Sequence, residues 1–120
     1  MHVKIPTITI YQKPTCTTCR SVYKMLVEAD VDFEAVNYYI DPIPSTKLKE
    51  LLKKMRMSAR DLLRTKESIY KKLKLSQKKL TDAEIIDLMV KYPDLIQRPI
   101  VEKGARAILA RPPERLKEIL

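Results

Sequence analysis

The chain is poor in residues that often disclose a function on their own. Its 120 residues contain one glycine, one histidine and two cysteines. With a single glycine, Gly104, it has no glycine clamp for nucleic acid, and neither zinc-finger spacing nor a repeated aromatic platform is present, so direct nucleic-acid binding is not expected. The one histidine is His2, at a terminus expected to fray, and two thiols supply only half of a tetrahedral zinc site. No structural metal is expected. No apolar run approaches the roughly 18 residues of a membrane span. Met1-His2-Val3-Lys4 leads straight into a strand-like segment without a signal-type apolar region, which makes the cytoplasm the default location. The two cysteines are also too close together for a secreted staple, since a bridge closing so small a loop restricts the unfolded chain little. Redox use inside a reducing compartment fits them better.

What is present is a soluble-type composition, 45% hydrophobic, at a length that suits one domain over residues 1–120. The net charge of +9 is uneven: between Lys47 and Lys79, thirteen Lys or Arg face only Glu50, Asp61 and Glu67. Such a stretch attracts anionic ligands or an acidic protein partner, although its simplest reading is a solvated helical surface.

Thr7-Ile8-Thr9-Ile10-Tyr11 alternates and is β-branched, so it reads as a strand ended by Pro14. A helix is expected from Cys19, with Val22, Met25, Leu26 and Ala29 forming one apolar stripe. Phe33 to Tyr38 returns to strand character, completing a βαβ unit with parallel pairing and a right-handed crossover. Ser45 is read as the cap of a helix through Leu48, Leu51, Leu52 and Met55, and Ser58 as the cap of a shorter helix with Leu62 and Leu63. Thr81 opens another helix, with Ile85, Ile86 and Met89 inward. This helical middle, about 45–92, is read as an insertion packed on the sheet. Pro99-Ile100-Val101 and Ala107-Ile108-Leu109 flank Lys103-Gly104-Ala105 as a hairpin, and Pro112-Pro113 starts a last helix through Leu116, Ile119 and Leu120. The order predicts an α/β fold with a mixed four-stranded sheet.

The chemistry centres on Cys16-Thr17-Thr18-Cys19, directly after the first strand. A thiol at a helix start meets unpaired N–H groups and the positive helix end, both of which favour the thiolate. Cys16 is nearer that start and is expected to attack, and Cys19, a turn later, to resolve. Thr17 and Thr18 offer hydroxyl hydrogen bonds and Arg20 adds positive potential, although all three also suit an ordinary helix start. A C-x-x-C pair beside a βαβ unit points to thiol exchange. Arg64, Arg98 and Arg111 each follow or precede apolar segments, and Arg98 precedes Pro99, where a cis bond is allowed. A guanidinium fork suits a tetrahedral oxyanion, but spacing alone leaves these three as ordinary surface arginines. The direction of Arg106 is left open by strand alternation.

Several separated motifs occur in order: Ile8-Thr9-Ile10-Tyr11 and Pro14-Thr15-Cys16, then Leu62-Leu63-Arg64, then Leu95-Ile96-Gln97-Arg98-Pro99-Ile100-Val101, and finally Leu109-Ala110-Arg111-Pro112. In these the chain resembles the arsenate reductase family related to glutaredoxins, which also contains thiol-switch transcription regulators. The resemblance implies a thioredoxin-like fold with a helical insertion, Cys16 as nucleophile, Arg64, Arg98 and Arg111 around the oxyanion, and Pro99 as a cis-proline. It implies no tightly bound cofactor, glutathione or another thiol reductant as co-substrate, and glutaredoxin or thioredoxin as partner. Two positions depart from the reductases: Cys19 stands where they usually carry serine, and Gln12 where a histidine is common. A second cysteine is a feature of the regulators, which contact RNA polymerase. An oxidoreductase acting on an oxyanion or a disulfide and a redox-sensitive regulator are therefore both expected readings.

Overall fold

A computed structural model describes residues 7–120, so His2 and its neighbours lie outside the described residues. The chain forms two compact units, residues 7–41 with 98–120, and residues 42–97.

The first unit carries the sheet. Strand β1 (Ile8–Gln12) pairs in parallel with β2 (Phe33–Asn37) through helix α1 (Thr17–Glu28), as the βαβ pattern predicts. Strand β3 (Ile100–Lys103) runs antiparallel to β1, and β4 (Arg106–Leu109) antiparallel to β3, giving the order β2-β1-β3-β4 of a mixed, thioredoxin-like sheet. Ile8 and Ile10 share one face of β1 because side chains alternate. They pack with Val22 and Leu26 of α1, Val101 and Ile108 of the hairpin, and Leu116 and Ile119 of the last segment. Within the expected α1 stripe, Val22 and Leu26 are buried, whereas Ala29 is exposed and caps the helix end. The β3–β4 turn is Gly104-Ala105, with φ +58° at Gly104 and no positive φ at Ala105, the sign pattern of a type II′ hairpin. The C-terminal helix is a 3-10 segment, Pro113–Glu118, in which Leu116 is buried; Ile119, at its cap, is buried too, and Leu120 after it is exposed.

The second unit is helical: α2 (Ser45–Met55), α3 (Ser68–Lys72) and α4 (Asp82–Lys91), with 3-10 turns between them at Arg60–Leu62 and Leu75–Gln77 and a third after α4 at Pro93–Leu95. It covers residues 42–97 where about 45–92 is expected, and Leu63 bridges Ile96, near its C-terminal end, in an antiparallel pair. Helix α2 buries Leu48, Leu51 and Leu52. Ser45 does not cap it. Pro44 holds the cap position without a side-chain hydrogen bond, and Ser45 is already helical. Ser58 does accept the Asp61 N–H at 3.2 Å, but the segment it starts is one 3-10 turn that ends before Leu63. At α4, Thr81 and Glu84 form a reciprocal capping box.

Candidate thiol active site

Helix α1 begins two residues earlier than the apolar spacing suggests, at Thr17, which makes Cys16 its N-cap. The cap backbone is extended (φ −78°, ψ 125°), and its sulfur accepts the Cys19 N–H at 3.3 Å. In most helices a Ser, Thr, Asp or Asn oxygen has that task. The loop before it is closed by the Cys16 N–H donating to the Lys13 carbonyl at 2.9 Å. Cys16 is partly buried and Cys19 completely so, and both are free thiols.

The two sulfurs titrate in opposite directions. Burial opposes ionisation of Cys16. Hydrogen bonds from the Cys19 side chain and backbone, a hydrogen bond from Arg98 and the charge of Arg98 outweigh it, so the Cys16 thiol lies below its ordinary value. Burial pushes Cys19 up first, and its hydrogen bond to Cys16 and the Cys16 charge add to this, so Cys19 is pushed up to about 12. A backbone hydrogen bond from Lys13 and the Arg98 charge act the other way and do not compensate. Of the pair, Cys16 therefore gives up its proton first and Cys19 keeps its own.

Arg98 is 95% buried (5% exposed) and sits where the second unit's chain returns to the sheet, with a cis bond to Pro99. Its Nη1 donates to the Tyr39 hydroxyl at 3.1 Å, and its Cζ lies 5.9 Å from the centre of the Tyr39 ring. Its carbonyl accepts from Arg111 Nη1 at 3.0 Å, so Arg111 braces the backbone that carries Arg98. Arg111 is exposed and precedes Pro112 through a second cis bond, which the sequence did not predict. Cys16, Cys19, Arg98 and Arg111 all belong to the first unit. Arg64 belongs to the second, where its backbone N–H donates to Leu95 and its Nε pairs with Glu67 Oε1 at 3.0 Å.

Two buried polar atoms in the first unit lack a hydrogen-bond partner, Arg98 Nε and Gln12 Oε1. Such orphans usually mark a place where a polar ligand or water completes the network. Gln12 also lines an open cavity of 340 Å³ with Pro14, Arg20 and Tyr23. A larger groove of 680 Å³ lies at the Gly104 hairpin and contains no thiol. Among the described residues, no group of three His, Cys, Asp or Glu side chains could hold a metal, and no helix is long and apolar enough to cross a membrane.

Tyr39 and Lys13 were not anticipated. Strand β2 stops at Asn37, whose Oδ1 accepts the Tyr39 N–H at 3.1 Å and turns the chain. An asparagine at a strand end was the available signal.

The model of the ArsC family matches residues 11–119. The chain belongs to the ArsC family. It is 40% identical over 114 residues to the uncharacterized protein YfgD of Escherichia coli K12, covering 94% of this chain and 96% of that protein. It is 37% identical over 113 residues to the arsenate reductase of the same organism, covering 94% and 80%. The solved arsenate reductase from Vibrio cholerae superposes with a TM-score of 0.91 at 30% identity, over 98% of this chain and all of that one. The ArsC match thus spans the Cys16 loop, Arg64, Arg98-Pro99 and Arg111-Pro112 together.

Proposed function

We propose that this ArsC-family chain is a thiol-dependent oxidoreductase that attacks an oxyanion or a disulfide through Cys16. The observation that carries this reading is the setting of one sulfur: Cys16 caps α1, accepts the Cys19 N–H, and has the buried Arg98 guanidinium beside it. Similarity to arsenate reductases makes arsenate the first oxyanion to test. The Cys16 thiolate would displace an oxygen of arsenate, which leaves as water, and form a sulfur–arsenic(V) bond. That bond consumes the Cys16 charge and removes two of the causes that hold the Cys19 proton. Cys19, as thiolate, would then attack Cys16 sulfur. The sulfur–arsenic bond breaks with its electron pair on arsenic, arsenite leaves as As(III), and a Cys16–Cys19 disulfide forms. An external thiol reductant, glutathione with glutaredoxin or a thioredoxin, would restore both thiols in the cytoplasm. Arg98 would hold the anion, Arg111 would steady Arg98, and Arg64 carries the same role on the strength of its motif. No tightly bound cofactor is needed for these steps.

The cysteine pair also favours a second reading, a regulator whose affinity for a protein such as RNA polymerase changes when Cys16 and Cys19 join. Turnover separates the two. Wild type, Cys16→Ser and Cys19→Ser are assayed with arsenate and with disulfides, using glutathione or thioredoxin as donor. The oxidoreductase reading expects turnover that Cys16→Ser abolishes and that Cys19→Ser makes dependent on glutathione. Absence of turnover under every donor, with polymerase binding that changes on oxidation, would replace it with the regulator.

A further inference from the structure

The tyrosine that faces Arg98 has no role in the chemistry described so far, yet it touches both halves of the thiol site. Its hydroxyl accepts from Arg98 Nη1 at 3.1 Å. Its ring lies 4.7 Å from Lys13 Nζ, and Lys13 is the residue whose carbonyl closes the Cys16 loop. The ring is fixed from behind by the neighbouring Tyr38, at 5.0 Å between centres, and Tyr38 is 1% exposed. The backbone is fixed by Asn37. One side chain on a rigid turn after β2 thus meets the Cys16 loop through its face and the Arg98 strand through its hydroxyl.

We propose that Tyr39 is a positioning residue that aims the Arg98 guanidinium at the Cys16 sulfur and ties the Cys16 loop to it through Lys13. The proposal rests on Cys16 as the attacking thiol. The physical reason is the geometry of the guanidinium, a planar fork whose donors cannot be turned independently. With Nη1 committed to Tyr39 and a further hydrogen bond to the Tyr38 side chain, the plane of the fork is set, and the side of it that faces Cys16 is set with it. Without the hydroxyl, a donor on a 95% buried side chain loses its acceptor, and the fork, left with its hydrogen bond to the Tyr38 side chain, can pivot about that bond. Rotation takes donors away from the sulfur. The ring contributes separately, because a cation above an aromatic face is held whether or not the ring carries a hydroxyl. Tyr39→Phe therefore removes the aiming bond alone, and Tyr39→Leu removes the aiming bond and the Lys13 tether.

The test is the pH dependence of Cys16 alkylation by iodoacetamide, with the labelled cysteine identified by mass spectrometry, in the full chain and in both variants. Thermal midpoints are measured alongside. Expected is an upward shift of the Cys16 midpoint in Tyr39→Phe, read as alkylation about threefold slower on the acid flank and unchanged on the alkaline plateau. Tyr39→Leu shifts it further and lowers the thermal midpoint more than Tyr39→Phe does. Superposable profiles for wild type and Tyr39→Phe would overturn the proposal, as would a loss of thermal stability in both variants with no shift in either. If Tyr39→Leu fails to fold, Tyr39→Phe decides. A wild-type Cys16 midpoint at the ordinary thiol value would be a different failure: it would remove the Cys16 reading itself, and this proposal with it.

Discussion

Replacing Arg98 by methionine tests the electrostatic basis of the site. Methionine keeps much of the length and volume of the side chain, so the buried position stays filled and Cys16 is not newly opened to water. That matters because uncovering Cys16 would by itself favour its thiolate and mask the effect sought. The substitution removes one charge-assisted hydrogen bond to the sulfur and one nearby positive charge. A hydrogen bond to a charged group is worth about 1.5–3 kcal/mol, and the partly exposed position of Cys16 argues for the lower end. About 1.5 kcal/mol corresponds to roughly one pH unit. Titrating the ultraviolet absorbance of the thiolate should place the Cys16 midpoint in Arg98→Met about one unit above wild type. At a fixed pH below both midpoints, thiol reactivity should fall about tenfold, and above them the two proteins should converge. Arg98→Lys keeps the charge but not the fork, and its midpoint should lie between. If Arg98→Met titrates with wild type, the hydrogen bonds from Cys19 alone set the Cys16 thiolate, and the argument for Arg98 as its partner is wrong.

Cys19 gives a prediction for stability. Its proton is held up to about 12 in the folded chain against an ordinary value of 9.0, so its contribution is complete below pH 9 and is lost as pH rises toward 12. Denaturant midpoints followed from pH 9 upward should fall more steeply for wild type than for Cys19→Ala; parallel curves would show that the proton is not held. Cys16 acts with the other sign: its lowered value stabilises the folded chain above the ordinary thiol range, and this is lost as pH falls through the folded midpoint. In the helical unit, Thr81→Ala removes the side-chain half of a capping box and should cost about 1 kcal/mol in chemical denaturation. Thr81→Ser should retain most of that, and an equal loss in both would point to packing of the threonine methyl instead.

The sheet was legible because its signals are local. Ile8 and Ile10 alternate, Val22 and Leu26 repeat at helical spacing, and a lone glycine marks the hairpin. The start of α1 was misplaced because apolar periodicity begins only where the helix meets the core, while the helix itself is opened two residues earlier by a sulfur, an atom seldom met as a cap. Ser45 misled for the opposite reason. Serine is a common cap, but Pro44 before it already has the extended backbone the position needs. Positive φ at Asp30, Arg56 and Lys74 could not be read from glycine, since the chain spends its only one at Gly104. In the site, the cysteines and Arg98 were found through their motifs, and the buried state of Arg98 follows from its place beside the central strands. Tyr39 escaped notice because its importance lies in a contact with a residue 59 positions away, and no spacing along the chain records that.

The sulfur that opens α1 has a consequence for the helix itself. A capped first turn is more stable than an uncapped one by about 0.5–2 kcal/mol, and here the acceptor is the very atom proposed to react. Any bond made at Cys16 sulfur, whether to arsenic, to a second sulfur or to an alkylating reagent, weakens it as an acceptor and frees the Cys19 N–H. The oxidation state of one atom is thereby written into the backbone as fraying of a helix end. Hydrogen exchange at the amides of Thr18 to Arg20 should quicken whenever Cys16 is occupied, which would let a partner sense the state of the thiol from the surface of the helix without touching the sulfur.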